Sequence, residues 1–249
     1  LEATEGNVSL NNKKIDYDVT DDIGFVTEER SLLTKMTVKE QIMFYGVLKG
    51  MDEVSIEKEL KKWLKKFGIL EYENRKIKEL SKGNQQKVQF ISAVIHKPKL
   101  LILDEPFSGL DPLNVELLKQ AILDLQKEGC AIIFSSHHME HIEDFCEKLI
   151  ILVKGKAVVS GYLKDIKQAY KRKNILLRGE DLPLHEIEKI KGVISVSLKR
   201  GEYEVKISED KVADRVFTKV KNCHLTKYDV IEPSLNEIFI DKVGGYHES

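Results

Sequence analysis

The run Leu100-Leu-Ile-Leu-Asp-Glu-Pro106 constrains this chain more than any other stretch. Lys99–Leu103 shows none of the alternation of a half-exposed strand, and a strand buried on both faces of a parallel sheet is apolar in this continuous way. Ala131–Phe134 reads as a second continuous buried strand. Between them Pro112 opens a helix where its missing N–H costs nothing, and Gly129 ends it. Strand, helix, strand is the order of a crossover connection, so the expected class is α/β with a mostly parallel sheet.

The totals allow one large or two ordinary domains in 249 residues. A composition of 42% hydrophobic and 33% charged residues is that of a globular chain rather than a disordered one. Lys plus Arg (40) nearly cancels Asp plus Glu (41), which removes any bulk field for nucleic acid or anionic membrane. Cys130, Cys146 and Cys223 are odd in number and far apart, so neither a disulfide frame nor a zinc cluster is expected, and a reducing cytoplasm is the simplest setting. The apolar runs fall far short of the roughly 18 residues that span a bilayer, so a membrane role would act through a partner. The opening Leu-Glu-Ala-Thr-Glu-Gly-Asn-Val, without Met, reads as the interior of a longer sequence.

Local signals place the remaining elements. Gly6–Ile15 resembles a hairpin turning at Asn11-Asn12, and Ile23–Val26 is a short apolar strand. Thr37 with Glu40 three residues on forms a capping box before Val38, Ile42, Tyr45 and Leu48. A second helix carries Ile56, Leu60, Trp63, Leu64 and Phe67 on one side and lysines on the rest. A third runs over Asn84–Ile95 with Ser81 at its start. Lys148–Val153 and Ala157–Val159 read as a hairpin joined through Lys154-Gly155. Beyond residue 173 the predicted order is β-α-β-β-α-β: Asn174–Arg178, Leu184–Lys191, Val193–Leu198, Tyr203–Ile207, Val212–Val220 and Leu225–Ile231. That order suggests a small ferredoxin-like α+β module, followed by a helix over Leu235–Val243.

The chemistry sits at strand ends. Asp104 and Glu105 close a buried parallel strand, where open α/β sheets bind ligands. In phosphoryl chemistry Asp104 would hold Mg2+ through water, and Glu105 would orient and deprotonate an attacking water. The plain alternative is a strand that ends in an Asp-Glu-Pro turn. Three neighbours weigh against it: Ser108-Gly109-Leu110-Asp111 follows at once, His137 ends the next strand, and Leu80-Ser81-Lys82-Gly83-Asn84 opens a helix upstream. A glycine-containing helix N-terminus offers free N–H groups and a positive dipole end to a phosphate.

In these residues the chain resembles an ATP-binding-cassette ATPase, over Leu1 to about Lys164. Ser81, Lys82, Gly83 and Asn84 match the family signature, Leu100–Asp104 its Walker B strand, and Glu105 its catalytic carboxylate. Ser108–Asp111 match the D-loop, His137 the switch histidine, and Ile23–Glu28 the Q-loop, with Glu28 where Gln is usual. The resemblance implies ATP and Mg2+ as cofactors, with Asp104 and Glu28 at the metal, Glu105 and His137 catalytic, and Ser81–Asn84 with Asp111 contacting nucleotide. It implies a second cassette as head-to-tail partner and a membrane-spanning permease at the cytoplasmic face of the membrane, with no nucleic acid. The implied domains are a cassette over 1–164 with a helical subdomain at about 35–97, a linker at 165–173, and an accessory α+β domain over 174–249. Its resemblance to extensions of sodium and drug efflux cassettes favours export. No Gly-x-x-x-x-Gly-Lys-Ser/Thr loop occurs among the 249 residues, so the expectation is a truncated cassette with no useful ATP affinity in isolation.

Other functions stay in view. A non-transport cassette working on ribosomes or DNA would usually show paired cassettes, a coiled-coil insertion or a basic region. A degenerate regulatory cassette, or one dominated by a regulator bound at 174–243, is also compatible. His137 and His141 lie four apart but lack a third ligand, and the lysine-rich helix is explained by a solvated face. Trp63 and Phe67 are expected in the core.

Overall fold

Short polar turns and capping side chains set the first elements, as the sequence predicts. The structure, a computed structural model, describes residues 5–15 and 17–247. Strands β1 (Ser9–Leu10) and β2 (Lys13–Lys14) pair antiparallel about Asn11 and Asn12, at φ 50° and 63°. Two left-handed residues make the hairpin turn whose twist matches the strands, and Asn tolerates that conformation better than most. After a 3-10 turn over Tyr17–Asp22, β3 (Ile23–Val26) leads to α1 (Val38–Leu48). The capping box is present: the Glu40 N–H donates to Thr37 Oγ1 at 3.2 Å and the Thr37 N–H to Glu40 Oε2 at 2.8 Å. Asp52 caps α2 (Glu53–Lys66) by accepting from the Ser55 N–H, and Ser81 caps α3 (Lys82–Val94) by accepting from the Asn84 N–H.

These three helices bury Ile42, Ile56, Leu60, Leu64, Phe67 and Phe90 almost completely. Trp63 stacks on Phe67 with centroids 5.9 Å apart, and Phe90 meets Phe67 edge-on at 5.8 Å. Each such side chain contributes roughly 1.5–3 kcal/mol of burial, so Trp63 and Phe67 are core residues as expected.

Strand β4 (Leu100–Asp104), helix α4 (Pro112–Lys127) and strand β5 (Ala131–Ser135) complete a parallel sheet in the order β3-β4-β5. Gly24, Leu101 and Ile132 lie in one row across it, and Val26, Leu103 and Phe134 in the next. Leu101 and Leu103 are fully buried on that face. The opposite face carries Phe25, Ile102 and Ile133 in register, and Phe25 and Ile133 are 54% and 57% exposed. Ala131–Phe134 is therefore not the buried strand its composition suggests. Its side chains alternate between exposed and half-buried, because among the described residues β5 pairs only with β4. Composition fixes what a strand tolerates on its faces; its neighbours decide what covers them.

The described residues fall into two compact units that divide between His137 and His138. In the second, α5 (Met139–Phe145) and the hairpin β6 (Lys148–Val153) and β7 (Lys156–Tyr162) share a cluster around Leu149 and Ile151. The turn between them uses Lys154 and Gly155 at φ 48° and 78°. Helix α6 (Leu163–Ala169) follows, a helix the sequence reading did not pick out. Then come β8 (Lys173–Glu180), α7 (Leu184–Glu188), β9 (Val193–Lys199), β10 (Glu202–Ile207), α8 (Lys211–Val220), β11 (His224–Ile231) and α9 (Leu235–His247). The antiparallel order β11-β8-β10-β9 is the ferredoxin-like arrangement. Ile175, Leu177, Val205 and Ile207 bury one face of this sheet against Ile187, Val212, Val216 and Val220 of α7 and α8.

Candidate nucleotide site

Parallel pairing brings the ends of three strands to one edge of the sheet. Val26 lies beside Leu103, and Asp104 beside Ser135, so Glu28, Asp104-Glu105 and Ser135–His137 all emerge at the C-terminal edge. Glu105 turns the chain there with φ 46°, a left-handed conformation that costs a residue with a Cβ about 1–2 kcal/mol. The turn aims its carboxylate along the edge. Glu105 Oε1 accepts from the His137 backbone N–H at 2.7 Å and lies 2.7 Å from His137 Nδ1. A carboxylate only accepts, so the proton of that second contact sits on Nδ1. The Ser136 hydroxyl lies 3.5 Å from Glu105 Oε2. Glu105 is 14% exposed and His137 66%, which places the acid inside and the imidazole at the rim.

Asp104 remains open to solvent at the end of β4. Its Oδ1 accepts from Ser135 Oγ at 2.5 Å, and Ser135 Oγ in turn accepts from the Glu105 N–H at 3.2 Å. One hydroxyl from the neighbouring strand thus fixes both the Asp104 carboxylate and the turn that carries Glu105. Ser135 is a site residue the sequence reading missed. Its signal was the register: a Ser one strand over, level with Asp104.

The chemistry of this donor set suits Mg2+ bound with a phosphate. The carboxylates are hard oxygen donors, and Mg2+ in phosphoryl-transfer sites takes one or two of them, completing its shell from phosphates and water. Among the described residues no group of three or more His, Cys, Asp or Glu could hold a metal alone.

The structure places the signature residues in a second cluster. Ser81 caps α3, with Lys82, Gly83 and Asn84 in its first turn. They lie beside the start of α4, which Asp111 caps by accepting from the Asn114 N–H at 3.0 Å. An added Cβ on Gly83 would stand 2.9 Å from Asn114 Nδ2, so only glycine permits this approach without a shift. The Asn114 backbone N–H, and next its side-chain amide, hold the Asp111 carboxyl below the usual carboxylate range. Glu28 lies exposed beyond β3. Thus Asp104, Glu105 and His137 converge on one edge, and Ser81–Asn84 and Asp111 gather at the starts of α3 and α4.

Comparison with known proteins matches both parts. The profile of the ABC transporter family matches residues 1–108, and that of the ATP-binding protein DrrA1-3-like C-terminal domain matches 161–243. The uncharacterized ABC transporter ATP-binding protein YhaQ of Bacillus subtilis is 46% identical over 249 residues, all of this chain and 83% of that protein. The linearmycin resistance ATP-binding protein LnrL of the same organism is 28% identical over 231 residues, 89% of this chain and 74% of that protein. Among solved structures, an ATP-binding subunit of an ABC transporter superposes with a TM-score of 0.63 at 28% identity, covering 68% of this chain and 72% of its own.

Proposed function

Because the chain belongs to the ABC transporter ATP-binding proteins, we propose that it energises export, coupling ATP hydrolysis to substrate movement through a separate membrane permease. The pairing of Glu105 with His137 at the sheet edge carries this reading. Glu105, held by two contacts to His137, is the base that orients and deprotonates the attacking water. His137 fixes that carboxylate through its backbone N–H and Nδ1. Asp104, oriented by Ser135, and Glu28 beyond β3 are the carboxylates that would hold Mg2+. When bound, that ion supplies charge neutralisation for the β- and γ-phosphates.

Ser81, Lys82, Gly83, Asn84 and Asp111, gathered at the starts of α3 and α4, are the residues that would close over nucleotide held by a second cassette. Efflux is supported by the DrrA-like C-terminal domain and by the likeness to a resistance protein. No helix among the described residues is long and apolar enough to cross a membrane, which fits a partner permease and a peripheral place on the membrane's cytoplasmic face. A surface for that partner adjoins the loop after β3. Helix α1 exposes Phe44, Val47 and Leu48, and a cavity of about 610 Å³ lies along it between Thr37, Met43, Phe44 and Asn74.

The groups that cradle the phosphates have to come from elsewhere. Residues 1–249 contain no Gly-x-x-x-x-Gly-Lys-Ser/Thr sequence. A parallel sheet is normally covered on both faces, yet the row Phe25, Ile102, Ile133 is largely bare. A segment outside these residues that pairs with β5 and covers this row would bring a phosphate loop beside Asp104. These 249 residues alone should bind Mg-ATP no more tightly than millimolar, and micromolar binding in calorimetry would refute that part. In the assembled transporter Glu105→Gln should lower ATP turnover by about 10²–10⁴-fold while Mg-ATP binding persists. Turnover within a few-fold of the parent would sink the assignment of Glu105.

A further inference from the structure

Helix α3 carries a buried polar stripe where packing alone calls for apolar side chains. Gln86, Gln89 and Ser92 are 4–5% exposed, and Gln41 of α1 is fully buried against them. Buried amides cost free energy unless hydrogen-bonded, and the partners of these four follow a pattern. Gln86 Nε2 donates to the Pro106 carbonyl at 3.4 Å, just after Glu105. Gln89 Nε2 donates to the Thr27 carbonyl at 3.0 Å and to Thr27 Oγ1 at 3.1 Å. Gln41 Nε2 donates to Ser92 Oγ at 3.3 Å, while its Oε1 accepts from the Leu33 N–H at 2.7 Å. The loop between β3 and α1 is thus held near both ends by amides seated on, or bonded to, α3.

The hold at Thr27 organises the loop beyond it. Thr27 Oγ1 also donates to the Glu29 carbonyl and lies 2.9 Å from Ser31 Oγ, winding 27–31 into one turn around that hydroxyl. The Thr27 carbonyl can only accept, which fixes the Gln89 amide with its nitrogen toward the loop. Its oxygen is left buried without a partner, and so is Arg30 Nε on the same loop. Both contacts that hold the loop at Thr27 thus come from one amide nitrogen, a single clasp between α3 and the loop.

We propose that Gln89 is a positioning residue: through it, helix α3, which begins at the signature residues, sets the conformation of the loop 27–33. In the transporter, a shift of α3 at the nucleotide site would then move the surface offered to the permease. That second step rests on the function proposed above; the first does not.

Gln89→Met keeps length and volume but removes the donors, and it should be compared with the parent chain by hydrogen exchange. Amides 28–33 should exchange about tenfold faster, while those of β4 and α4 keep their rates. Thr27→Val, on the far side of the clasp, should loosen the same amides, and the double variant should add little to either. The result that overturns the clasp is unchanged exchange at 28–33, or a uniform acceleration across β4 and α4 that marks a general core defect. Should Gln89→Met fail to fold, Thr27→Val decides alone by the same criterion. In the assembled transporter, Gln89→Met should abolish substrate stimulation of ATPase activity, a larger loss than any it brings to unstimulated turnover through Glu28. A loosened loop with stimulation intact would retain the clasp and overturn its link to the permease.

Discussion

The seat of helix α3 on the sheet depends on one absent side chain. A Cβ added to Gly24 would lie 2.4 Å from the Ala93 carbonyl oxygen, 3.0 Å from Leu101 Cδ1 and 3.1 Å from Pro98 Cγ. Ordinary contact begins near 3.4 Å, so Gly24→Ala forces β3 and α3 apart by roughly 1 Å, because the nearest atom is helix backbone and cannot rotate away. Overpacking a filled core costs about 1–3 kcal/mol, and a clash with backbone belongs in the upper part of that range, about 2–3 kcal/mol. Gly83→Ala is the control. Its Cβ would meet Asn114 Nδ2 at 2.9 Å, the end of a side chain that can swing away, so the cost should stay below about 1 kcal/mol. Trp63, the only tryptophan, is buried against Phe67 and Phe90 and reports on this unit alone by fluorescence. With a urea dependence of about 2 kcal/mol per molar, the Gly24→Ala midpoint should fall by about 1 M and that of Gly83→Ala by less than half as much. Equal midpoints for the two variants would refute the close approach of β3 to α3.

Two further outcomes test other parts of the structure. Thr37→Ala removes the acceptor of the Glu40 N–H and should cost about 1 kcal/mol by the same fluorescence assay, with a loss under about 0.3 kcal/mol speaking against the capping box. His96 is held below its usual range, first by burial and then by Lys49, against the opposing pull of the Ile23 backbone, Asp21 and Asp22. The unfolded chain therefore takes up a proton that the folded chain refuses. The stability from keeping His96 neutral is complete above about pH 6.5 and is lost as pH falls from there through the folded pKa. Urea midpoints should drop between pH 7.5 and 5.5, and His96→Gln should flatten the drop; an unchanged slope would remove His96 as its source.

What the sequence decided by itself was local or pairwise. Thr37 with Glu40, and Ser81, mark helix starts because a capping hydroxyl needs only an N–H two or three residues on. Asn11-Asn12 and Lys154-Gly155 mark turns because left-handed backbone is costly for most other residues. The continuous apolar run ending in Asp104-Glu105 placed the acidic pair at the edge of a parallel sheet, and the β-α-β-β-α-β order placed the second unit. Tertiary structure alone decided what depends on neighbours distant in the chain. Ser135 reaches Asp104 only through strand register, Gln89 reaches Thr27 across 62 residues, and Gly24 is needed only because Ala93 comes so close. Ala131–Phe134 has a buried strand's composition and an exposed strand's surroundings. A side chain carries its own preference for burial, hand or hydrogen bonding, but the groups that satisfy it are brought near only by folding.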